Sequence, residues 1–326
     1  MCGKILVIRG GAIGDFILTL PAIDALRSAF PEAHLEVLGY PHIIQLAQAA
    51  GLVDRAQPIE ARPLAGFFAR HGELSENWVD YFSEFDLILS YLYDPDGIFQ
   101  ANLGRCTSGQ FIAGPHRPDE RSAIHAAKVY LKPLERLAIF EADSVPHLAF
   151  NPRLSTVNSL ALHPGSGSQS KNWPEEKWAE LLQHLVSATD FHFLLIGGEA
   201  EVDKLQRLSR SAFAGMPQPR LRLAQNLPLV ELARLMQDCQ LFLGHDSGIS
   251  HLAAALGLPG LLLWGATSEQ IWRPPSQRMM VLRYSEGLAE LPVSLVLNNL
   301  EPMITSLGGT FSATAHGHAA GQRNCY

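Results

Sequence analysis

The stretch from Leu241 to Thr267 constrains the fold more than any other part of the chain. An apolar run ends at Gly244, a polar turn and an alanine-rich segment follow, and a second apolar run begins after Gly257. Apolar runs of strand length on either side of a segment with helical composition predict a strand, a helix and a second strand. Because strands linked in this way are parallel and buried, the stretch predicts an α/β fold.

The polar turn before this helix has the composition of an anion-binding site. Asp246 is predicted to cap the helix, while Ser247 and Gly248 present its first free backbone N–H groups. These groups lie at the positive end of the helix dipole, where phosphates bind. His251 falls one turn later on the same face, and it can donate to a phosphate when protonated or pack there as a neutral ring. The alternative is an ordinary capped helix with a buried histidine.

The length and charge of the chain narrow the classes of protein that it can represent. A chain of 326 residues, 47% of them hydrophobic, is long enough for about two domains. No apolar run reaches the roughly 18 residues that a membrane-spanning helix needs, and the amino terminus does not resemble a secretory signal. The four cysteines lack metal-type spacing. A formal net charge of −7 argues against a general nucleic-acid partner. We therefore expect a cytoplasmic protein.

The first half opens with an apolar run, residues 4–8, which predicts a strand buried on both faces. A glycine loop from Gly10 to Gly14 follows, and Asp15 stands where a helix begins. The loop differs from the dinucleotide fingerprint, because Ala12 occupies the place of its second glycine. Ligands of open α/β sheets gather at the carboxyl ends of the strands. Asp15 is therefore predicted either to reach a ligand or to cap the helix.

A second α/β unit begins near residue 159, after a turn that separates the two halves. We expect an amino-terminal domain over residues 1–155 and a carboxy-terminal domain over residues 156–307. The last helix is expected at about residues 288–305. The tail, residues 308–326, has the composition of a disordered segment.

A loop rich in glycine and serine precedes the first helix of this second unit. The hydroxyls of Ser166 and Ser168, the ammonium of Lys171 and the backbone amides can bind an anion, although such a loop can also simply face solvent. Gly165, Gly167 and Ser170 approximate a dinucleotide fingerprint, which would make the chain an NAD-dependent oxidoreductase. In that fingerprint the glycines open the helix, whereas here the helix is predicted to start later.

Two carboxylates follow the next buried strand, which ends in a pair of glycines. Glu199 and Glu201 stand where a carboxylate can accept hydrogen bonds from ribose hydroxyls. Acidic residues are also typical of the first turn of a helix, so this alternative stays open.

Four segments together resemble the ADP-heptose:lipopolysaccharide heptosyltransferases, glycosyltransferase family 9: GGAIGDFILTLPAIDALR, HPGSGSQSKNWPEEKWAEL, LIGGEAE and GHDSGISHLAAALGLPGLLLWGAT. The likeness runs in order from about residue 4 to 275. It implies the GT-B architecture, in which two Rossmann-like domains with parallel sheets face each other across a cleft. The acceptor is then held mainly by the first domain and the nucleotide-sugar mainly by the second, and in this family the last helix often crosses back to the first.

The resemblance also implies the reaction and its partners. We expect transfer of a sugar, a heptose, from a nucleoside diphosphate, ADP, to a lipopolysaccharide-core or related surface-glycan acceptor, with inversion at the anomeric carbon. The family implies no metal and no cofactor. The partners are then the nucleotide-sugar donor and a glycan or glycolipid acceptor, with peripheral contact at the inner face of the bacterial inner membrane and no nucleic acid. A non-catalytic nucleotide-sugar binding protein of the same fold is the alternative.

The resemblance assigns roles to particular residues. Asp15 corresponds to the general base that removes the proton of the acceptor hydroxyl. Lys171 and the helix start at Ser247 would stabilise the departing diphosphate. A carboxylate would repel a diphosphate, so we assign Asp246 to capping or to a sugar hydroxyl. Glu201 matches the ribose-binding acid better than Glu199. The expected site residues are Asp15 and Lys171 for catalysis; Ser166, Ser168, Lys171, Glu201, Asp246, Ser247, Gly248 and His251 for the donor; and Gly14, Arg62, Arg117 and Arg121 for the acceptor.

Two positions depart from the family or compete with it. His245 stands where the family usually has asparagine or another small polar residue, and we expect it to alter the contact with the donor sugar. The segment from Asp94 to Asp96 resembles the metal-binding D-x-D motif of other transferases, but the family favours a proline turn there.

Overall fold

The computed structural model describes residues 3–150, 158–213 and 220–307. Strands and helices alternate through its first half, as the apolar runs predict. Pro21 lies in the first turn of a helix that restarts after a short break, because its ring fits a helix start but not a helix interior. The strands are β1 (Lys4–Arg9), β2 (His34–Gly39), β3 (Arg55–Pro58), β4 (Leu87–Ser90) and β5 (Gln110–Ala113), and the helices are α1 (Ile13–Ile17), α2 (Leu20–Ala29), α3 (Pro41–Ala49), α4 (Glu76–Ser83), α5 (Ile98–Leu103) and α6 (Ala126–Leu131).

The second half repeats this alternation. Its helix at Gly248–Ala255 ends as expected, since Gly257 takes a φ of 76° that residues with a side chain rarely adopt. The strands are β6 (Ser159–His163), β7 (His192–Gly197), β8 (Leu221–Gln225), β9 (Leu241–His245), β10 (Gly260–Leu263) and β11 (Met279–Leu282), and the helices are α7 (Glu175–Ala188), α8 (Val202–Ala212), α9 (Leu229–Gln237), α10 (Gly248–Ala255), α11 (Glu269–Trp272) and α12 (Val293–Ser306).

The strands form two parallel sheets. The first has the order β3-β2-β1-β4-β5 and the second the order β11-β10-β9-β6-β7-β8, and all neighbouring strands pair in parallel. In each sheet the chain starts at an inner strand, moves to one edge, and returns to build the other side. The reversal opens a crevice at the carboxyl ends of β1 and β4 and of β6 and β9, where ligands of such sheets bind. The predicted α/β class with two parallel sheets is confirmed.

A hydrophobic core extends through both halves. Along β1, Val7 belongs to this shared core, whereas Ile8 faces a separate core under α4 and α5. The shared core also contains Ile17 of α1 and Leu252 of α10, which are fully buried. Packing of α1 against α10 therefore fixes how the carboxyl ends of the two sheets face each other.

The last described helix packs on the second half of the chain. Buried residues of α12, among them Val296 and Leu300, belong to the core of the second half together with Trp178 of α7. The expected return of the last helix to the first domain stays a prediction. The expected domain boundary at residues 155 and 156 and the predicted tail, residues 308–326, lie outside the described residues. Within the described ranges, none of the helices has the length and hydropathy needed to cross a membrane.

Candidate functional site

A cavity of about 690 Å³ lies between the two halves of the chain. Its first wall comes from the loop after β1, with Asp15, and its second wall from the loop after β6 and the turn after β9. A larger cavity of about 1160 Å³ adjoins it along the second sheet, beside Glu201. Because the two cavities share part of their lining, they form one continuous cleft. The shared residues are Gly11, Ala12, Tyr40, Gly167, Ser247 and Gly248.

Two helix starts meet in this cleft, one from each half. α1 and α10 approach so closely that a methyl group on Gly248 would lie 2.7 Å from Cβ of Ile13. Such a distance is shorter than any tolerable contact, so only glycine fits at the first residue of α10. The first N–H groups of α10, which have no acceptor among the described residues, open onto the same cavity as the start of α1.

Asp15 serves the helix start and faces the cleft at once. Asp15 is the third residue of α1, and Ala12 occupies the cap position. One carboxylate oxygen of Asp15 accepts a hydrogen bond from the backbone N–H of Ala12 at 3.1 Å. The other carboxylate oxygen lies 3.6 Å from Nη2 of Arg9. The side chain stays 27% exposed on the cavity side. Asp15 therefore supports the helix start from the third position and is not the cap residue, and its contact with a ligand stays a prediction.

Arg9 is a cavity residue that sequence reasoning missed. Its side chain is only 2% exposed, its Nη1 donates to the carbonyl oxygen of His116 at 2.9 Å, and its guanidinium lies 4.5 Å from the ring centre of Tyr130. The available signal was an arginine that continues the buried run of β1.

Lys171 is held in the cleft by Asp246. Its Nζ lies 2.6 Å from Oδ2 of Asp246, and the hydroxyl of Thr267 donates to the same oxygen at 2.7 Å. Asp246 does not cap α10, contrary to the expectation. The cap is Ser247, whose hydroxyl oxygen accepts from the backbone N–H of Ser250 at 3.3 Å. The ammonium explains the difference, because a charge-assisted hydrogen bond outcompetes a bond to a neutral amide.

Two histidines border the start of α10 as neutral rings. Burial lowers the pKa of His163 and that of His251 to about 4. Nδ1 of His163 lies 3.2 Å from the hydroxyl of Ser247. Within the part of the chain that the structure describes, Nδ1 of His251 is buried and has no hydrogen-bond partner. Of the two states expected for His251, the neutral one therefore applies at pH 7.

The glycine-serine loop and Glu201 pack against each other. The hydroxyl of Ser166 donates to the carbonyl of Ser168 at 2.7 Å, which tightens the loop. Glu201 lines the larger cavity and accepts from the backbone N–H of Gly198 at 2.9 Å. Its Cγ would lie 2.5 Å from a methyl group on Gly165, so the loop needs glycine there. Glu199 is exposed and lines neither cavity, so Glu201 alone of the two carboxylates faces the cleft, and its contact with a ribose stays a prediction.

The acceptor-side residues divide into two groups. Gly14 and Arg117 line the smaller cavity, and Arg117 lies 5.5 Å from the ring centre of Trp272, which comes from the other half of the chain. Arg62 and Arg121 are exposed and line neither cavity, so their predicted place in the site is not supported. Both residues follow the carboxyl end of the first sheet in sequence, but their side chains turn to solvent.

The D-x-D motif is a turn, as the family pattern favours. The carboxylate of Asp94 accepts from the backbone N–H groups of Phe99 and Gln100 at 3.1 and 3.0 Å. Both of its oxygens are thereby used at the start of α5. Asp96 lies 3.9 Å from Arg70 at the surface.

Contrary to the expectation, the side chain of His245 does not reach the cleft. Its side chain is fully buried and lines neither cavity. Leu241 and Leu243 lie on the same face of β9, which packs on α7. The period of two along a strand places His245 on that face as well.

The loop geometry also bears on the dinucleotide alternative. A short 3-10 turn, Gln169–Lys171, follows the glycines, and α7 begins only at Glu175. In a dinucleotide fingerprint the glycines open the helix directly. The glycines here belong to a loop that carries Lys171 into the cleft.

Comparison with known proteins identifies the family. The model for Glycosyltransferase family 9 (heptosyltransferase) matches residues 127–292. The chain is 31% identical to lipopolysaccharide heptosyltransferase 1 of Pseudomonas aeruginosa over 81% of this chain and 79% of that protein. It is 24% identical to lipopolysaccharide heptosyltransferase 3 of Escherichia coli, over 82% of this chain and 85% of the relative.

A solved structure shares the whole architecture. The E. coli heptosyltransferase WaaC, solved with ADP, superposes with a TM-score of 0.73 at 18% identity and covers 92% of this chain and 99% of its own. At that identity the likeness shows the fold, which is GT-B. The family match and the relatives together lead to one conclusion: the chain belongs to glycosyltransferase family 9, the heptosyltransferase family, and is a glycosyltransferase.

Proposed function

We propose that the protein transfers a heptose from ADP-heptose to a sugar of the lipopolysaccharide core, with inversion at the anomeric carbon and without a metal ion. The names of two relatives support the transferred heptose and the acceptor class, since both proteins are lipopolysaccharide heptosyltransferases. The single observation that carries the mechanism is that Asp15 and Lys171, from opposite halves of the chain, line the same cavity.

An inverting transfer needs this arrangement. The acceptor hydroxyl oxygen attacks the anomeric carbon while the bond to the diphosphate oxygen breaks on the opposite face, and ADP leaves with the electron pair. Asp15 takes the proton of the acceptor hydroxyl as general base. The base and the diphosphate must therefore lie on opposite sides of the transferred sugar. Asp15 on the wall of the first half and Lys171 on the wall of the second meet this requirement.

The departing diphosphate would be stabilised by groups of the second half. Lys171 supplies an ammonium, and the free N–H groups at Ser247 and Gly248 supply the positive end of the α10 dipole. Donors aimed at developing charge usually contribute the largest share of catalysis. We propose that these groups carry out the charge neutralisation that a divalent ion performs in other transferases.

Asp246 has a defined part in this scheme despite its negative charge. Its Oδ2 accepts from Lys171 and Thr267, and Oδ1 takes no hydrogen bond from the described residues. Oδ1 is thus free to accept a hydroxyl of the donor sugar. Pairing with Lys171 offsets the repulsion between the carboxylate and the diphosphate.

The nucleoside would occupy the larger cavity. Glu201 lines it and can accept the ribose hydroxyls, and the cavity joins the diphosphate region through Gly167, Ser247 and Gly248. On the acceptor side, Arg117 borders the cavity near Gly14 and can bind an anionic core sugar. We propose that a lipid-anchored acceptor reaches this opening at the inner face of the bacterial inner membrane.

A thermal-shift screen of ADP, NAD and the ADP-, GDP- and UDP-sugars, followed by a transfer assay on the best donor with and without EDTA, tests the proposal. We expect ADP-heptose and ADP to raise the melting temperature more than the other nucleotides. Transfer should proceed equally with EDTA and give the inverted product. Stabilisation by NAD instead, or transfer that stops on chelation, would contradict the proposal.

A further inference from the structure

The imidazole of His245 closes the glycine-serine loop at both ends. Its Nδ1 lies 3.3 Å from the carbonyl oxygen of Gly165, and its Nε2 lies 3.0 Å from the backbone nitrogen of Trp173. These two backbone groups bracket the segment that carries Ser166 and Lys171. A single buried ring thus ties the loop to the end of β9.

The two hydrogen bonds require one protonation state of the ring. The carbonyl of Gly165 can only accept a hydrogen bond, so Nδ1 carries the proton. The N–H of Trp173 can only donate, so Nε2 is unprotonated. Burial lowers the pKa of His245 to about 3, which keeps the ring neutral at pH 7. The ring of Trp178 packs edge-on at 5.5 Å and holds the orientation.

Asp246, which follows His245 in the chain, lines the smaller cavity. β9 ends at His245, and Asp246 then binds Lys171 while Ser247 caps α10. The hydroxyl of Ser250 donates to the backbone carbonyl of His245 and joins this strand end to α10. One residue therefore connects the loop, the partner of Lys171 and the helix start.

We propose that His245 is a positioning residue, which fixes the loop of residues 165–173 against β9 so that Lys171 and the loop amides are already arranged for the donor diphosphate. Without the ring, the loop would become ordered only when the ligand binds. The conformational entropy lost in that step would weaken binding. This inference rests on the proposed function in one respect, that the ligand of the loop is a nucleoside diphosphate.

Hydrogen exchange on the nucleotide-free protein tests the positioning itself. We compare the wild type with His245→Phe, which keeps a ring against Trp178 but has no nitrogen, and with His245→Asn, whose amide can still donate to the carbonyl of Gly165. The amide of Trp173 should exchange at least about tenfold faster in His245→Phe and by a smaller factor in His245→Asn. His192→Phe, the same change at the start of β7, should leave the loop unchanged. Unaltered exchange in folded His245→Phe would overturn the inference.

Nucleotide binding and kinetics test whether positioning matters for the donor. In His245→Phe we expect the Kd for ADP and the KM for the donor to rise about tenfold, while the KM for the acceptor stays unchanged, and His245→Asn should recover part of the loss. A purely structural role would lower the melting temperature without this selective change in the donor KM. Donor parameters within about twofold of the wild type would contradict the inference.

A measurement on the wild type covers the case in which His245→Phe does not fold. ¹⁵N NMR of histidine-labelled protein at pH 7 should report His245 as the neutral tautomer with the proton on Nδ1. A charged ring, or a proton on Nε2, would overturn the inference. Failure of the proposed function gives a different result, in which the wild type does not bind ADP while the tautomer and the protected amide of Trp173 are still observed.

Discussion

Gly14 and Gly248 bring the starts of two helices, one from each half of the chain, into direct backbone contact. A methyl group on Gly14 would lie 3.7 Å from Cα of Gly248, and one on Gly248 would lie 3.1 Å from the backbone nitrogen of Gly14. The absence of side chains at both positions lets the wall that carries Asp15 approach the start of α10. This contact sets the width of the space in which the transferred sugar would react.

Gly248→Ala should therefore impair transfer strongly. The new methyl group would meet Ile13 and push α1 away from α10, and displacement of catalytic groups by about 1 Å can cost about 100-fold in rate. We expect kcat/KM to fall by about that factor, as measured in a steady-state transfer assay. Gly104→Ala is the matched control, since its methyl group would meet only ordinary contacts at 3.5 Å on the helical backbone after α5. Full activity of Gly248→Ala would show that the close approach is not needed.

Lys171→Met tests the source of the positive charge at the diphosphate. We expect kcat/KM to drop by about 10²- to 10³-fold, which is the typical loss for one donor aimed at a developing charge. Arg207→Met removes a cation of the same half whose ion pair with Glu175, at 2.7 Å, is exposed. That control should retain wild-type transfer. If Lys171→Met keeps its rate when saturated with donor, another group must neutralise the diphosphate.

The buried histidines predict a fall in stability under mildly acidic conditions. The pKa of His163 and that of His251 are lowered by burial to about 4, and that of His245 to about 3, while the unfolded chain titrates near 6.5. Between pH 6.5 and 4 the unfolded chain thus binds more protons, so the free energy of unfolding falls as the pH falls. Each histidine contributes about 1.4 kcal/mol per pH unit in this window.

Urea unfolding at pH 7.5, 6 and 5 measures this effect. His245→Phe should lose the contribution of one histidine, and its slope against pH should be shallower than that of the wild type. Carboxylates such as Glu175, whose pKa is lowered by its hydrogen bond to Arg207, add to the loss only at lower pH. Equal stability at pH 7.5 and 5 would refute the prediction.

The sequence predicts the sheets and the helix starts well, for a physical reason. Strands buried on both faces need unbroken apolar runs, as in residues 4–8, and a helix start that another helix approaches closely needs small residues, as at Gly248. These requirements are local, so the pattern alone reveals them. The α/β class and the start of α10 follow from them directly.

Features that depend on tertiary partners could not be predicted in the same way. Asp246 and Ser247 are both good helix caps, and only the approach of Lys171 decides that Ser247 takes the role. Arg9 ends a strand, where a charged side chain would normally reach solvent, and its burial depends on the rings of Tyr91 and Tyr130. The apolar pattern of α12 predicts a helix with a buried side, but it does not tell which half of the chain that side packs against.

His245 is an intermediate case. Its position, two residues after Leu243 on β9, indicates the face on which its side chain lies. The hydrogen bonds to Gly165 and Trp173 depend on a loop about 80 residues earlier in the chain, so the pattern gives the direction of the side chain but not its partners.

Asp15→Asn provides the most direct test of the central claim, that a base in the first half acts on a donor held by the second. Asparagine can still accept from the backbone N–H of Ala12, so α1 should keep its start. Transfer and ADP binding are measured on the same sample. We predict that transfer falls by at least about 100-fold, the typical share of general base catalysis, while the Kd for ADP stays within about twofold of the wild type. Transfer by Asp15→Asn at the wild-type rate would contradict the account.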